Sequence, residues 1–110
     1  MSTQCYQNKN GALKADSRNL DGASVTLNIE EGVNVCGADY GLVIFGNKTV
    51  ANVKGDIEAT NASGYAISGN GNPGCEGTTL NISGEADIRA YQGIGIYIPQ
   101  EGTTNISDKA

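Results

Sequence analysis

The sequence predicts an all-β fold, a parallel β-helix with coils of about 24 residues, and three observations lead there. Tracts built alike, Leu27-Asn28-Ile29, Ala51-Asn52-Val53, Leu80-Asn81-Ile82 and Thr104-Asn105-Ile106, recur along the chain. Apolar residues in and after these tracts alternate with period two, which is the spacing of a strand with one buried face. Gly, Asn and Asp flank them and accept the left-handed backbone of tight turns, while no segment carries a helical apolar stripe.

Residues 1–23 match the repeat poorly, although Gly22-Ala23-Ser24-Val25 imitates part of it, so they read as an N-terminal cap or a degenerate coil. Residues 24–110 hold the solenoid, three full coils with partial ones at the ends, and the whole is one domain. The Asn residues of the tracts are spaced by 24, 29 and 24. The longer interval contains Gly69-Asn70-Gly71-Asn72-Pro73-Gly74-Cys75-Glu76-Gly77, a loop insertion by its Gly and Pro content. After each tract a four-then-two step repeats: Ile29, Val33, Val35, then Val53, Ile57, Ala59, then Ile82, Ala86, Ile88. A Gly followed three residues later by Ile marks another strand, at Gly41 to Ile44, Gly64 to Ile67 and Gly93 to Ile96. The fourth coil opens with Thr103-Thr104-Asn105-Ile106-Ser107 and the sequence stops at Asp108-Lys109-Ala110, which predicts a piece of a longer solenoid or end-to-end self-association.

Coils this short cannot bury an apolar face alone, but they can when stacked about 4.8 Å apart. A β-sandwich would need hairpin turns and no fixed period, and a leucine-rich repeat would need a shorter coil with its own Leu and Asn consensus. Stacking predicts one inward column of Ile29, Val53, Ile82 and Ile106, and another of Ile44, Ile67 and Ile96. It also predicts a structural ladder of Asn28, Asn52, Asn81 and Asn105, each amide bonding the next. Asn47, Asn61, Asn81 and Asn105 each begin an Asn-x-Ser/Thr sequence, but ladder and turn roles compete with glycan attachment there.

Composition narrows the chemistry. A net charge of −5 without a Lys or Arg cluster disfavours nucleic acid as a partner. No apolar run reaches the roughly 20 residues of a membrane span, and the first residues lack a signal-peptide pattern. The absence of His and Trp removes the commonest metal ligand, the commonest general base and the best sugar-stacking ring. Cys5, Cys36 and Cys75 allow at most one internal disulfide, and their spacing is not that of a metal site.

The tract from Ser24 to Ser107, above all Thr79-Leu80-Asn81-Ile82-Ser83-Gly84 with Gly93-Ile94-Gly95-Ile96-Tyr97-Ile98, resembles right-handed β-helix repeats of bacterial surface proteins. Similar coils build the pectate-lyase-like superfamily. The resemblance implies a right-handed solenoid in an extracellular or cell-surface setting, often linked to carbohydrate. Enzymes of that superfamily have more coils and a groove of aligned carboxylates with Lys or Arg. No such site maps onto this chain residue by residue, so no catalytic residue is assigned.

Two sets of side chains are candidates for binding. With Ile57 and Ala86 inward, Asp56, Glu58, Glu85 and Asp87 project outward, Asp56 beside Glu85 and Glu58 beside Asp87. Such a cluster suits Ca²⁺ or a carboxyl raised for acid catalysis, against the plainer reading of a solvated face partly neutralised by Lys54 and Arg89. Tyr40, Phe45, Tyr91 and Tyr97 fall at outward positions where rings could meet sugar faces or a protein. Tyr65 takes an inward parity and is left out. Thr26, Thr79 and Thr103 form a column broken by Val50, a short array that resembles those of solenoid ice-binding proteins. The expected function is a non-catalytic structural or binding module that presents an outward face to a glycan or protein. The alternative is a fragment of a polysaccharide-active enzyme.

Overall fold

The computed structural model describes residues 11–18, 23–69, 76–99 and 102–110. They form strands β1 (Leu13–Asp16), β2 (Val25–Ile29), β3 (Asn34–Gly37), β4 (Tyr40–Phe45), β5 (Thr49–Val53), β6 (Asp56–Ser68), β7 (Thr78–Ile82), β8 (Ile88–Tyr97) and β9 (Gly102–Ile106). Every pairing is parallel and there is no helix among the described residues, so the coils stack into a β-solenoid of about three turns.

Each coil presents three faces. The first is the sheet β2-β5-β7-β9, which carries the recurring tracts. The second runs from β3 to the opening of β6 and of β8, and the third from β1 through β4 to the closing parts of β6 and β8. β6 spans both faces: its register with β8 shifts between Ala59 and Ala62 and again before Tyr65. Ser63 lies inside that stretch with φ of 63°, and such an irregularity lets one strand turn a corner without a break.

On the first face the expected register holds throughout. Ile29, Val53 and Ile82 stack as one buried column, continued by Ile106 on β9. The two ends of the column differ: Ile29 is 3% exposed and Ile106 is 59% exposed.

The other two faces correct the sequence reading. Val35 pairs with Ile57 and Ile57 with Ile88, so Val33 and Ala86 lie in turns and the four-then-two step is not a structural repeat. The turn Lys54-Gly55 is two residues shorter than its counterpart in the coils on either side, which moves the second-face register by two. On the third face Leu13, Leu42, Ile67 and Ile96 form the column, and Ile44 pairs with Ala15 instead. The Gly signature marks close approach rather than register. A Cβ on Gly93 would stand 2.0 Å from the carbonyl oxygen of Gly64.

Cys36 is half of a disulfide. The other two cysteines, Cys5 and Cys75, lie outside the described residues, as do residues 1–10 and 19–22 of the expected cap. The described part of that segment, β1, already pairs with β4 as a strand of the third face.

Candidate functional site

The second face carries the densest group of outward charges. Because Ile57 and Ile88 point into the core, the residues on either side of each face solvent: Asp56 and Glu58 from β6, Asp87 just before β8 and Arg89 within it. With Asn34 they line an open groove of about 270 Å³.

Each charge in the groove already has a partner. Glu58 pairs in register with Arg89 and accepts a hydrogen bond from the Tyr91 hydroxyl at 2.8 Å. Asp87 holds the Arg89 guanidinium at 2.6 Å, while its backbone N–H donates to Asp56 across the coil step. The bond to Glu58, and then the charge of that carboxylate, push the Tyr91 hydroxyl above its ordinary pKa, since ionisation would set two anions side by side. Arg89 is held further above its own range by its bond to Asp87.

The four carboxylates therefore do not converge as the sequence spacing suggested. Glu85 sits in the turn before β8, away from Asp56, with Lys109 at 3.9 Å from it. The two-residue register change inserts Arg89 where Asp87 was expected beside Glu58. Among the described residues no three of His, Cys, Asp and Glu come together to hold a metal ion, and the carboxylates for which Ca²⁺ was one reading, Asp56, Glu58, Glu85 and Asp87, do not form such a group.

The aromatic candidates divide. Tyr40, Tyr65 and Tyr97 form a continuous stack, one ring from each of three coils, with centroids 5.6 Å and then 5.2 Å apart and planes 13° and 29° from parallel. Tyr65, assigned to the core from sequence, is the half-buried middle member. Its pairing with Tyr40 follows once Leu42 and Ile67 set the register instead of the glycines. An opening of about 340 Å³ borders the stack at Asp39, Tyr40, Ala62, Ser63 and Tyr65, beside the hydrogen bond from Asn61 to Asp39. Stacked rings turn their faces toward each other, so the middle ring, Tyr65, offers only its edge to a ligand.

Phe45 is not an exposed ring. It is buried beside Val43, with the Arg18 guanidinium 4.6 Å and the Lys14 ammonium 5.2 Å from its centroid. Tyr91 lies on the second face, apart from the stack, bonded to Glu58.

The first face has the most regular outer surface. Asn28, Asn52, Asn81 and Asn105 form the expected ladder, each later amide donating to the Oδ1 of the one before at 2.9 Å. Thr26, Val50, Thr79 and Thr103 run beside them as a second column. No family model matches the chain, and neither a curated protein nor a solved structure matches it. What the chain shows is a β-solenoid of about three turns, and the geometry of its three faces carries the functional argument.

Proposed function

We propose that this chain is a non-catalytic structural and binding module of an extracellular or cell-surface protein, with a solenoid side that meets a glycan or another protein. The observation that carries the reading is the mutual engagement of the outward polar groups. Asp87 is tied to Arg89, Glu58 to Tyr91, and Asn to Asn along the axis. Groups held in this way present a rigid pattern of donors and acceptors, whereas hydrolysis of a glycoside needs one carboxyl free to give a proton and a second placed across the bond. The groove of Asn34, Asp56, Glu58, Asp87 and Arg89 is the favoured contact, being polar, open and built on three neighbouring strands, β3, β6 and β8. The disulfide at Cys36 fits an oxidising compartment. The reading includes self-association through the ends of the stack.

The test pairs glycan-array binding with a reducing-sugar assay on pectin and mucin-type substrates. Binding without release supports the module, and Arg89→Ala should then weaken it. Release that Asp56→Asn abolishes would replace it with the polysaccharide-active enzyme.

A further inference from the structure

The opening of about 340 Å³ beside the tyrosine stack is bordered by Asp39, Tyr40, Ala62, Ser63 and Tyr65, and shares no lining residue with the second-face groove. A lengthened corner makes it. Ala59 to Tyr65 lies opposite only Gly37 to Tyr40 in one neighbouring coil and Ala90 to Ile94 in the other, so the middle coil carries extra residues here. Asn61, Ala62 and Ser63 are all exposed at that corner, and Ser63 holds φ at 63°, a left-handed backbone that residues other than glycine adopt at a cost. The corner is pinned. Asn61 Nδ2 donates to Oδ1 of Asp39 at 2.9 Å, and the backbone N–H groups of Asn61 and Tyr65 donate to the carbonyls of Ala38 and Asp39 at 2.9 and 2.7 Å.

The polar groups around the opening are not engaged by the protein. Among the described residues the hydroxyls of Tyr40, Ser63 and Tyr65 have no hydrogen-bond partner, nor does Oδ2 of Asp39. No buried side-chain oxygen there goes without a partner, so those of Tyr40, Tyr65 and Asp39 reach solvent. The second face differs, with Asp87 tied to Arg89 and Glu58 to Tyr91. One carboxylate acceptor among neutral hydroxyls, with no Lys or Arg on the border, suits a neutral ligand rich in hydroxyl groups. An anionic ligand would be repelled by Asp39. A cation would meet the edge of Tyr65 in place of the ring face that attracts it.

We propose that this corner is a second glycan contact, a site for a neutral oligosaccharide whose hydroxyls bond Asp39, Tyr40 and Tyr65. Its volume lies near the lower end of small-ligand sites, about 300–1,000 Å³, and takes about one or two sugar rings. The stack continues past the opening to Tyr97, whose hydroxyl also has no partner among the described residues. Its rings are 5.6 and 5.2 Å apart, comparable with the advance per sugar of an extended β-1,4-linked chain, so a longer glycan lies along the axis with one sugar per coil. The proposal rests on the glycan-binding reading above and adds a contact on another part of the surface.

Calorimetric titration of the full chain with cellohexaose, mannohexaose and N-acetylated chitohexaose tests it, with hexagalacturonate as the anionic probe. At least one neutral hexasaccharide should bind, and the uronate should bind more weakly. Asp39→Asn should weaken the neutral sugar roughly tenfold or more, since a bond to a charged acceptor is lost. Tyr65→Phe, which keeps the ring and the stack, should weaken it about three- to tenfold. Both variants should keep the parent circular dichroism spectrum. The chain has no Trp, so a change in tyrosine emission should accompany saturation. Failure of all three neutral probes to bind overturns the proposal, as does binding that either substitution leaves intact or that the uronate matches. Loss of binding in Arg89→Ala, with Asp39→Asn unaffected, would move the sugar to the second-face groove, ending this proposal and leaving the reading above in place.

Discussion

The side-chain amide of Asn52 donates to Oδ1 of Asn28 at 2.9 Å across 24 positions of sequence. The same bond recurs from Asn81 to Asn52, so an interior amide both gives and accepts. Asn81→Ala removes two such bonds and Asn105→Ala one. At about 0.5–1.5 kcal/mol per bond, the interior variant should lose about twice as much stability. Urea unfolding midpoints measure the difference, and equal losses would show that the ladder is not cooperative with the fold.

Ile67 and Ile106 are the same residue type in the same kind of column, fully buried and 59% exposed respectively. Ile67→Ala leaves a cavity between Leu42 and Ile96 and should cost about 2–5 kcal/mol. Ile106→Ala should cost under about 1 kcal/mol, because little area is returned to water. Thermal unfolding of both variants, at a concentration where the chain is monomeric, separates the two.

Gly41 packs against the coil above it more tightly than any side chain allows. A Cβ there would lie 2.6 Å from Cγ2 of Ile57 and 2.7 Å from the Ala66 carbonyl oxygen. Gly41→Ala should cost about 1–3 kcal/mol through backbone displacement. Gly95→Ala, which meets nothing within 4 Å, should be close to neutral. Denaturation midpoints that fail to separate the two would contradict the packing.

The Arg18 guanidinium grips Asp16 through two hydrogen bonds, 2.9 Å from Nε and 2.7 Å from Nη2, and these, joined by a third from the Arg18 backbone N–H at 3.0 Å, hold the Asp16 carboxyl below its usual 3.8. A lowered native pKa contributes stability that is complete above the unfolded value and is lost as pH falls through the native one. The pair is partly exposed, so its contribution is under about 1 kcal/mol. At the alkaline edge the sign reverses for Tyr91, whose raised value favours the neutral hydroxyl below pH 10.0 and loses that advantage as pH climbs past the native value. Unfolding midpoints for Asp16→Asn and Tyr91→Phe should flatten the acid and alkaline limbs respectively.

The first face was legible from sequence because turn lengths cancel over a whole coil. Asn28, Asn52 and Asn81 each begin a new circuit, and whatever a turn gains or loses, the next tract must return to the same position to bury Ile29, Val53 and Ile82. The insertion around Gly69–Gly77 lengthens one circuit without moving the column. The second and third faces were misread for the converse reason. The short Lys54-Gly55 turn and the slips at Ala62 displace register inside a coil, and nothing in the local apolar alternation records how long a corner is.

That displacement decides the chemistry of the surface. Sequence spacing set Glu58 beside Asp87 and made an acidic cluster; the folded register sets it beside Arg89 and makes a paired groove. Parity along a strand turned Tyr65 inward, and the fold makes it the half-buried middle ring of a stack with Tyr40 and Tyr97. The sequence by itself determined the period, the parallel coil stack and the asparagine ladder, since burial of one apolar face per circuit leaves few alternatives. The tertiary structure alone decided which charges and rings meet, because neighbours across coils are chosen by corner length, a quantity that backbone hydrogen bonding tolerates and the hydrophobic pattern does not encode.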